Sequence, residues 1–380
     1  MKKVLLVFGT RPEAIKMAPL VKEFQKNYEF IDTKICVTAQ HRGLLDQVTE
    51  LFDIHPDYDL NLMKSNQDLY DITSDIILGM RDVLLDCKPD MVLVHGDTTT
   101  TFAVALSAFY QKIKIGHVEA GLRTRNIYNP WPEEVNRQMT SIVANYHFTP
   151  TGESRENLLS EGKDKNSIIV TGNTVIDALL LTLKRIRKDK FLESKIVLSL
   201  GHLKFDYNKS KFIIVTAHRR ESFGSGFLNI CKALKVIAIA NKNINLLFPV
   251  HPNPNVKNTV YKILSNIENV HLVEPLQYEQ FIYLMEKCYF IITDSGGIQE
   301  EAPSLGKPVL VMRDATERLE AIKSGGVKLI GTDQNNIVKE VQILLNSKEE
   351  YKKMSETINP YGDGLASNKI YNKVKSVLCQ

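Results

Sequence analysis

The feature of this sequence that most constrains its fold is a regular alternation of short apolar runs with helical patterns. In the first half, strands are predicted at residues 3–8, 33–38, 91–95, 113–118 and 146–148. Helices are predicted between them, at about residues 13–26, 43–53, 68–87, 100–110 and 133–144. Because short apolar strands separated by helices are typical of a parallel sheet covered on both faces, the alternation predicts an α/β fold.

A second series of the same kind predicts a second sheet. Its strands are predicted at residues 212–216, 245–250, 270–273, 290–293, 309–311 and 328–330. A chain of 380 residues is also too long for one ordinary core. We therefore predict two Rossmann-like, doubly wound domains, the first made of residues 1–171 and 366–380 and the second of residues 172–365. The last helical pattern, at residues 365–377, is expected to cross back to the first domain.

Composition excludes several classes of protein. The chain is 43% hydrophobic and 24% charged, with a net charge of +4 and no basic stripe interleaved with aromatic residues, so a globular protein that does not bind nucleic acid is expected. No apolar run approaches the roughly 18 residues of a membrane span. The five cysteines are scattered without a Cys-x-x-Cys pair, and no histidines have metal-ligand spacing. We therefore predict a cytoplasmic protein without a structural metal or disulfides.

Residues 294–308, DSGGIQEEAPSLGKP, lie between two predicted buried strands. Ser295, Gly296 and Gly297 carry no bulky side chain, so backbone N–H groups could approach a ligand there. A helix that begins at this point would add the positive end of its dipole, which favours a phosphate. Glu300 and Glu301 follow within one turn and could accept hydrogen bonds from sugar hydroxyls. The segment therefore predicts a phosphate and a polyol in one site.

Three further polar segments follow predicted strands of the first domain, at the edge where parallel sheets bind ligands. Arg11, in residues 9–13, could clamp a phosphate or could be an exposed residue of an ordinary strand–helix turn. Asp97 precedes four threonines and could act as a base or only cap the next helix. Glu119 ends a predicted strand, where it could be a functional carboxylate or half of an internal salt bridge.

The remaining candidates come from a predicted helix start and from the second domain. Glu133 and Arg137 are four residues apart and share a helix face, either in a site or as a surface pair. His218 precedes two arginines and could bind an anion or be a buried structural histidine. The turn at residues 9–13 lacks the Gly-x-Gly-x-x-Gly pattern, so no nicotinamide or flavin is predicted. Together, acids from one domain and cations with a phosphate cradle from the other predict an interdomain cleft that binds a nucleotide-linked polyol.

Six motifs, in order along the chain, resemble those of the non-hydrolysing UDP-N-acetylglucosamine 2-epimerases. They are residues 9–13, 95–100, 118–124, 130–134, 218–221 and 294–308. The resemblance runs from residue 3 to about residue 378. It implies a two-domain fold of the glycosyltransferase-B type, a homodimer, and reversible conversion of UDP-N-acetylglucosamine to UDP-N-acetylmannosamine without a cofactor, for bacterial surface polysaccharide. The route in this family is anti elimination of UDP to 2-acetamidoglucal, followed by re-addition of UDP.

The resemblance also implies a role for each matching residue. Asp97, Glu119 and Glu133 resemble the acid–base carboxylates, and any of the three could take the C2 proton. Arg137 resembles a residue that supports them, and His218 resembles the partner of the diphosphate or leaving oxygen. The implied substrate-binding residues are Arg11 and Lys16 on the nucleotide side, Ser295, Gly296 and Gly297 as the diphosphate cradle, Glu301 for the ribose, Phe281 for the uracil and Arg318 for a phosphate.

Some bacterial members of that family carry a second site for UDP-N-acetylglucosamine that activates the enzyme. Gln40 and His251 match positions of that site, whereas Gly43 and Asn66 stand where some members have glutamine and arginine. Two alternative functions remain. One is the hydrolysing relative, which releases free N-acetylmannosamine and UDP, and the other is a regulator that binds a nucleotide sugar without catalysis.

Overall fold

The protein is built from two compact units. The computed structural model describes residues 1–39, 42–64, 66–219 and 223–379. One unit comprises Met1–Ala178 with Tyr361–Gln380, and the other comprises Leu179–Pro360. Within the described residues, no helix is both long enough and apolar enough to cross a membrane.

The first unit contains a seven-stranded parallel sheet. Its strands are β1 (Lys2–Phe8), β2 (Ile31–Val37), β3 (Tyr58–Asp59), β4 (Met91–His95), β5 (Lys114–Val118), β6 (Tyr146–Thr149) and β7 (Ile168–Val170). The strand order is β3-β2-β1-β4-β5-β6-β7. The order reverses between β1 and β4, and ligands of doubly wound sheets bind at such a switch point, beyond the carboxyl ends of the strands.

Helices cover this sheet and carry much of its core. They are α1 (Arg11–Lys26), α2 (Arg42–Leu51), α3 (Leu69–Cys87), α4 (Thr99–Tyr110), α5 (Glu133–Val143), α6 (Gly152–Ser160), the start of α7 (Thr174–Lys188) and, from the end of the chain, α16 (Ala366–Leu378). All residues of β4 are buried, which explains its unbroken apolar pattern. The last helix packs on α1, where the rings of Phe24 and Tyr371 meet edge to face at 5.1 Å.

The second unit repeats this architecture with six parallel strands. They are β8 (Phe212–Thr216), β9 (Asn245–Pro249), β10 (Val270–Val273), β11 (Ile291–Thr293), β12 (Val309–Val311) and β13 (Val327–Leu329), in the order β10-β9-β8-β11-β12-β13. Its further helices are α8 (Lys190–Ser199), α9 (Ser225–Ala240), α10 (Pro254–Leu264), α11 (Tyr278–Lys287), α12 (Gly296–Glu301), α13 (Leu319–Ser324), α14 (Gln334–Asn346) and α15 (Lys348–Ser355). The switch point lies between β8 and β11, the strands that precede His218 and Ser295.

The structure confirms the predicted α/β class and every strand that the sequence predicts. It adds β3 and β7, which are the two edges of the first sheet. These strands contain only two and three residues, so they are too short to show a clear periodicity.

Candidate active site

Asp97 lies just beyond β4 and is held by Arg137 from α5. The Asp97 Oδ2 atom accepts a hydrogen bond from Arg137 Nε at 2.8 Å and lies 2.7 Å from Arg137 Nη2. Arg137 Nη1 also reaches Glu134 Oε2 at 3.1 Å. Burial acts to lower the pKa of the Arg137 guanidinium, but the charges and hydrogen bonds of the two carboxylates outweigh burial and raise it. Arg137 is therefore a fixed, permanently charged partner of Asp97.

Glu119 follows β5 and is also anchored by neighbours in the first unit. Its backbone has a φ of +61°, a left-handed conformation that is uncommon for residues other than glycine and often marks functional sites. Its carboxylate pairs with Lys16 Nζ and accepts a hydrogen bond from Asn173 Nδ2 at 2.9 Å. His95 Nε2 lies 3.8 Å from Glu119 Oε2, and burial lowers the pKa of His95 to about 4. Lys16 is thus an ion-pair partner of Glu119.

Glu133 is the first residue of α5, where the preceding Pro132 provides no side-chain cap. The Glu133 Oε2 atom is buried and has no hydrogen-bond partner among the described residues. Buried carboxylate oxygens normally have partners, because leaving one unsatisfied is costly. The arrangement therefore favours a ligand group at Glu133.

Two carboxylates that the sequence analysis did not select organise these residues. Glu134 is fully buried and accepts hydrogen bonds from the amides of Thr124 and Arg125, at 3.0 and 3.1 Å, and from Gln138 at 3.0 Å. Burial acts to raise the pKa of Glu134, but these hydrogen bonds and the charge of Arg137 outweigh it and lower the pKa. Its only signal in the sequence is its position beside Glu133 in the first turn of a helix.

Glu13 ties the loop after β1 to the loop after β4. Its buried carboxylate accepts hydrogen bonds from the amides of Gly9 and Thr10, at 3.0 and 2.8 Å, and from the hydroxyls of Thr98 and Thr101, at 2.6 and 3.2 Å. Burial raises its pKa, because the cost of removing the charge from water outweighs the hydrogen bonds that the carboxylate accepts. The Thr-x-x-Glu pattern of a capping box at residues 10–13 was the available signal.

Arg11 begins α1 at the same edge of the sheet. It is partly buried, and no hydrogen bond or ion pair joins its side chain to another residue in the part of the chain that the structure describes. Its guanidinium is therefore available to an anion, and its binding of a phosphate stays a prediction.

In the second unit, the glycine-rich turn lies against Arg318. Helix α12 begins at Gly296, and Ser295 makes no side-chain cap. A Cβ atom added to Gly296 would lie 3.0 Å from Arg318 Cζ, whereas one added to Gly297 would meet nothing within 4 Å. Arg318 Nε donates to Glu300 Oε1 at 3.0 Å, and its guanidinium also pairs with Glu317. The turn thus combines open backbone with an oriented guanidinium, which suits a phosphate.

Glu301 and Phe281 lie on two neighbouring elements of the second unit. Glu301 is buried at the end of α12 and accepts a hydrogen bond from the Tyr278 hydroxyl at 3.2 Å. Phe281 is partly buried in α11, three residues after Tyr278. Sequence reasoning missed Tyr278, which had no signal beyond a helix start.

His218 follows β8 and contacts two side chains of its own unit. Its Nδ1 atom lies 3.4 Å from Asp294 Oδ1, and its ring stacks on that of His251 with centroids 5.3 Å apart. Burial lowers the pKa of His218, Asp294 opposes this effect, and His251 and Arg219 add to it. His251, which the sequence assigns to an activator site, thus lies beside His218, the predicted partner of the diphosphate. The predicted activator residue Gln40 lies outside the described residues, as do positions 220 and 221 of the histidine motif.

Polar groups therefore gather at the carboxyl edge of each sheet. The first unit presents three carboxylates with two fixed cations, which can move protons, and the second presents a glycine turn, a histidine and an arginine, which can hold a phosphate. Among the described residues, no group of three or more His, Cys, Asp or Glu side chains is arranged to hold a metal ion.

Known proteins resemble this chain over nearly its whole length. A family model described as UDP-N-acetylglucosamine 2-epimerase matches residues 22–375. The UDP-N-acetylglucosamine 2-epimerase of Campylobacter jejuni is 61% identical over 372 residues, which are 98% of this chain and 97% of that protein. The protein of that name from Salmonella typhimurium is 57% identical over 374 residues, 98% of each chain.

A solved structure extends the similarity to the whole fold. The crystal structure of the UDP-GlcNAc 2-epimerase from Neisseria meningitidis bound to UDP-GlcNAc has a TM-score of 0.90 to this chain at 52% identity, covering 98% of this chain and 100% of that one. The similarity confirms the predicted glycosyltransferase-B-like class, with its two parallel sheets flanked by helices. Fold, motifs and family model agree, and the chain belongs to the UDP-N-acetylglucosamine 2-epimerase family.

Proposed function

We propose that the protein interconverts UDP-N-acetylglucosamine and UDP-N-acetylmannosamine reversibly, without hydrolysis and without a redox cofactor. The observation that carries the proposal is a set of three carboxylates. Asp97 and Glu119 follow the neighbouring strands β4 and β5, and Glu133 begins α5, the helix whose Arg137 holds Asp97. Two of them are paired with cations, and the third has a buried oxygen without a partner in the described residues. Relatives named for this activity, and one solved with UDP-GlcNAc bound, support the choice of substrate.

The chemistry explains why several carboxylates are needed. The C2 hydrogen of the sugar is not adjacent to a carbonyl, so simple deprotonation is unfavourable. In anti elimination, a carboxylate takes the C2 proton, the C1–O bond breaks, and its electron pair leaves with the diphosphate. Re-addition of UDP returns a proton to the opposite face of C2. Since protons move on two faces, more than one acid–base group is required, and Asp97, Glu119 and Glu133 supply them.

The second unit retains the leaving group in this proposal. The turn at Ser295, Gly296 and Gly297, with Arg318 against it, holds the diphosphate, and His218 donates to the oxygen that departs. Arg11 and Lys16 act on the nucleotide side, Glu301 receives the ribose hydroxyls and Phe281 contacts the uracil. Retention is essential because UDP must be added back to the same glucal, so a looser turn would release both intermediates.

The test is incubation of the protein with UDP-N-acetylglucosamine in deuterated water, followed by NMR. We expect a mixture of the two UDP-sugars, with deuterium at C2 of both. Free N-acetylmannosamine as the main product would instead establish the hydrolysing alternative. Tight binding of UDP without turnover would establish the regulator. Asp97→Asn, Glu119→Gln, Glu133→Gln and His218→Ala should each lower turnover by roughly a hundred-fold or more, as expected for the loss of an acid–base or leaving-group contact.

A homodimer is part of the proposal and is supported by an apolar surface on three neighbouring helices of the first unit. Helix α4 packs between α3 and α5. Exposed apolar side chains on the three helices include Leu78, Leu85, Phe109, Tyr110, Met139 and Ile142. Apolar patches of this kind mark association sites, and a second copy of the chain is the occupant that the family resemblance implies.

Light scattering after size exclusion tests the dimer. We expect the wild type at twice the mass of the chain and the double variant Leu85→Asp, Phe109→Asp as a monomer. Leu198→Asp, on the exposed side of α8 in the other unit, is the matched control and should stay dimeric. A monomeric wild type would overturn this part of the proposal.

We further place the reaction in the cytoplasm of a bacterium, in the supply of N-acetylmannosamine-type sugars for surface polysaccharide. The proposed product keeps its UDP group and is therefore ready for glycosyl transfer. All five cysteines are free thiols, four of them buried, which fits a reducing compartment. Disruption of the gene should remove these sugars from the polysaccharide.

A further inference from the structure

Asp294 is a fully buried aspartate between β11 and the glycine turn. Its Oδ2 atom accepts hydrogen bonds from two consecutive amides, those of His218 at 2.6 Å and Arg219 at 2.8 Å. These contacts tie the loop after β8 to the start of the turn that is proposed to hold the diphosphate. The Oδ2 atom of Asp294 thus holds the backbone of residues 218 and 219 in place.

The other oxygen of Asp294 faces the imidazole. Asp294 Oδ1 lies 3.4 Å from His218 Nδ1, and within the described parts of the chain this buried oxygen makes no hydrogen bond, not even to the imidazole. Among those residues, the imidazole is also the one group within ion-pairing distance of Asp294 that becomes a cation on protonation. A buried carboxylate oxygen normally has a hydrogen-bond partner, and the imidazole of His218 is the group that faces this one.

We propose that Asp294 is a positioning residue that acts through His218. In this role its Oδ1 atom accepts a hydrogen bond from Nδ1–H, which fixes the imidazole tautomer and leaves Nε2 as the atom that faces the ligand. It also stabilises the imidazolium form, which can donate to the departing diphosphate oxygen. This part rests on the proposed function. The logic matches the aspartate of a serine-protease triad, which holds its histidine in one tautomer and stabilises the charged ring.

The neighbouring charges show why such a partner is needed. His251 stacks on one face of the His218 ring, and Arg219 is the next residue in the loop. Burial and both of these groups disfavour a positive charge on His218, and Asp294 is the group in the described parts of the chain that opposes them. Without the Asp294 charge, the imidazolium would form only at a lower pH.

The variant Asp294→Asn separates the two roles of the side chain, which are to hold the loop through Oδ2 and to orient the imidazole through Oδ1. The asparagine oxygen can still accept from both amides, so the loop is retained. Its amide nitrogen, however, donates toward Nδ1 and forces the proton onto Nε2. We expect kcat to fall by roughly a hundred-fold or more with KM changed less than threefold, and the loss to be smallest at low pH. UDP affinity, measured by calorimetry, should stay within threefold of the wild type.

Two comparisons distinguish a positioning role from a structural one. In a His218→Gln background, Asp294→Asn should cause no further loss, because its effect passes through the imidazole. Asp333→Asn, which also removes one charge from the second unit at a helix cap and keeps an acceptor there, should behave as the wild type. Equal, additive losses in the two backgrounds would overturn the proposal.

Nitrogen-15 NMR of the histidines tests the pairing without kinetics. The signal of His218 is identified by its disappearance in His218→Gln. We expect the neutral wild-type ring to carry its proton on Nδ1, and the Asp294→Asn ring to carry it on Nε2. A wild-type ring protonated on Nε2 overturns the proposal even if the variant does not fold. If the wild type shows no epimerisation, the proposed function fails, while this readout still decides whether Asp294 sets the tautomer.

Discussion

The Arg137 guanidinium donates a hydrogen bond to the Asp97 carboxylate, with Nε 2.8 Å from Oδ2, although the two residues are 40 positions apart in the chain. The same guanidinium reaches the buried carboxylate of Glu134 at 3.1 Å. One cation therefore orients a candidate catalytic acid and neutralises a structural one. Its planar fork serves both contacts, which a lysine ammonium cannot do at once.

Replacing Arg137 should impair both activity and stability. We expect Arg137→Met to lower kcat by roughly a hundred-fold, because Asp97 loses its orienting partner. It should also lower the free energy of unfolding by about 3 kcal/mol, since Glu134 is left buried without its cation. Arg137→Lys should recover part of the stability but little of the activity. Turnover by NMR and urea unfolding measure the two effects, and Arg155→Met, from an exposed ion pair, is the control.

Glu134 should make stability depend on pH. The pKa of Glu134 is lower in the folded protein than its ordinary value of 4.5. Its contribution to stability is therefore present above that value and is lost as the pH falls through the folded pKa. We expect Glu134→Gln to be less stable than the wild type at neutral pH, with the difference shrinking below pH 4.5. Urea unfolding across pH measures this difference. The exposed Glu349→Gln should show no such trend, and a constant difference for Glu134→Gln would contradict the prediction.

Gly9 should not tolerate a side chain. A Cβ atom at this position would lie 2.0 Å from Thr38 Oγ1 and 2.5 Å from Thr100 Oγ1, so the two hydroxyls would have to move. We expect Gly9→Ala to lower the free energy of unfolding by about 1–3 kcal/mol, as overpacking does. Gly43→Ala is the opposite case, because nothing lies within 4 Å and the residue is exposed in α2. It should raise stability by about 0.5–1 kcal/mol through helix propensity.

Gly296 should matter for the retention of UDP. A Cβ atom at Gly296 would lie 3.0 Å from Arg318 Cζ and would push the guanidinium from its place. We expect Gly296→Ala to weaken UDP binding by roughly ten-fold and to release free UDP and 2-acetamidoglucal during turnover. Calorimetry and product NMR measure these effects. Gly152→Ala, at a helix start with open space around it, should match the wild type. Normal UDP affinity in Gly296→Ala would refute the role of this contact.

Most strands and helices, and the sheet edges at which ligand groups collect, could be predicted from the sequence. Periodicity is a local property, so β4 and β11, whose residues are all buried, could be read from their apolar runs. The glycine turn after β11 could be read from side-chain size alone. For Glu13 and Glu134, the sequence showed only that each lies in the first turn of a helix. Local patterns do not show from which distant backbone amides a carboxylate accepts hydrogen bonds.

The partners of these residues became visible only in the folded chain. Lys16 and Glu119 are 103 residues apart, and His218 and Asp294 are 76 apart. Each pair meets because parallel strands bring their carboxyl ends to one edge, and strand order and register depend on packing of the whole sheet. A sequence pattern can show that a residue has a side chain suited to catalysis or binding. The contacts that orient this side chain and set its charge come from chain segments that only folding brings together.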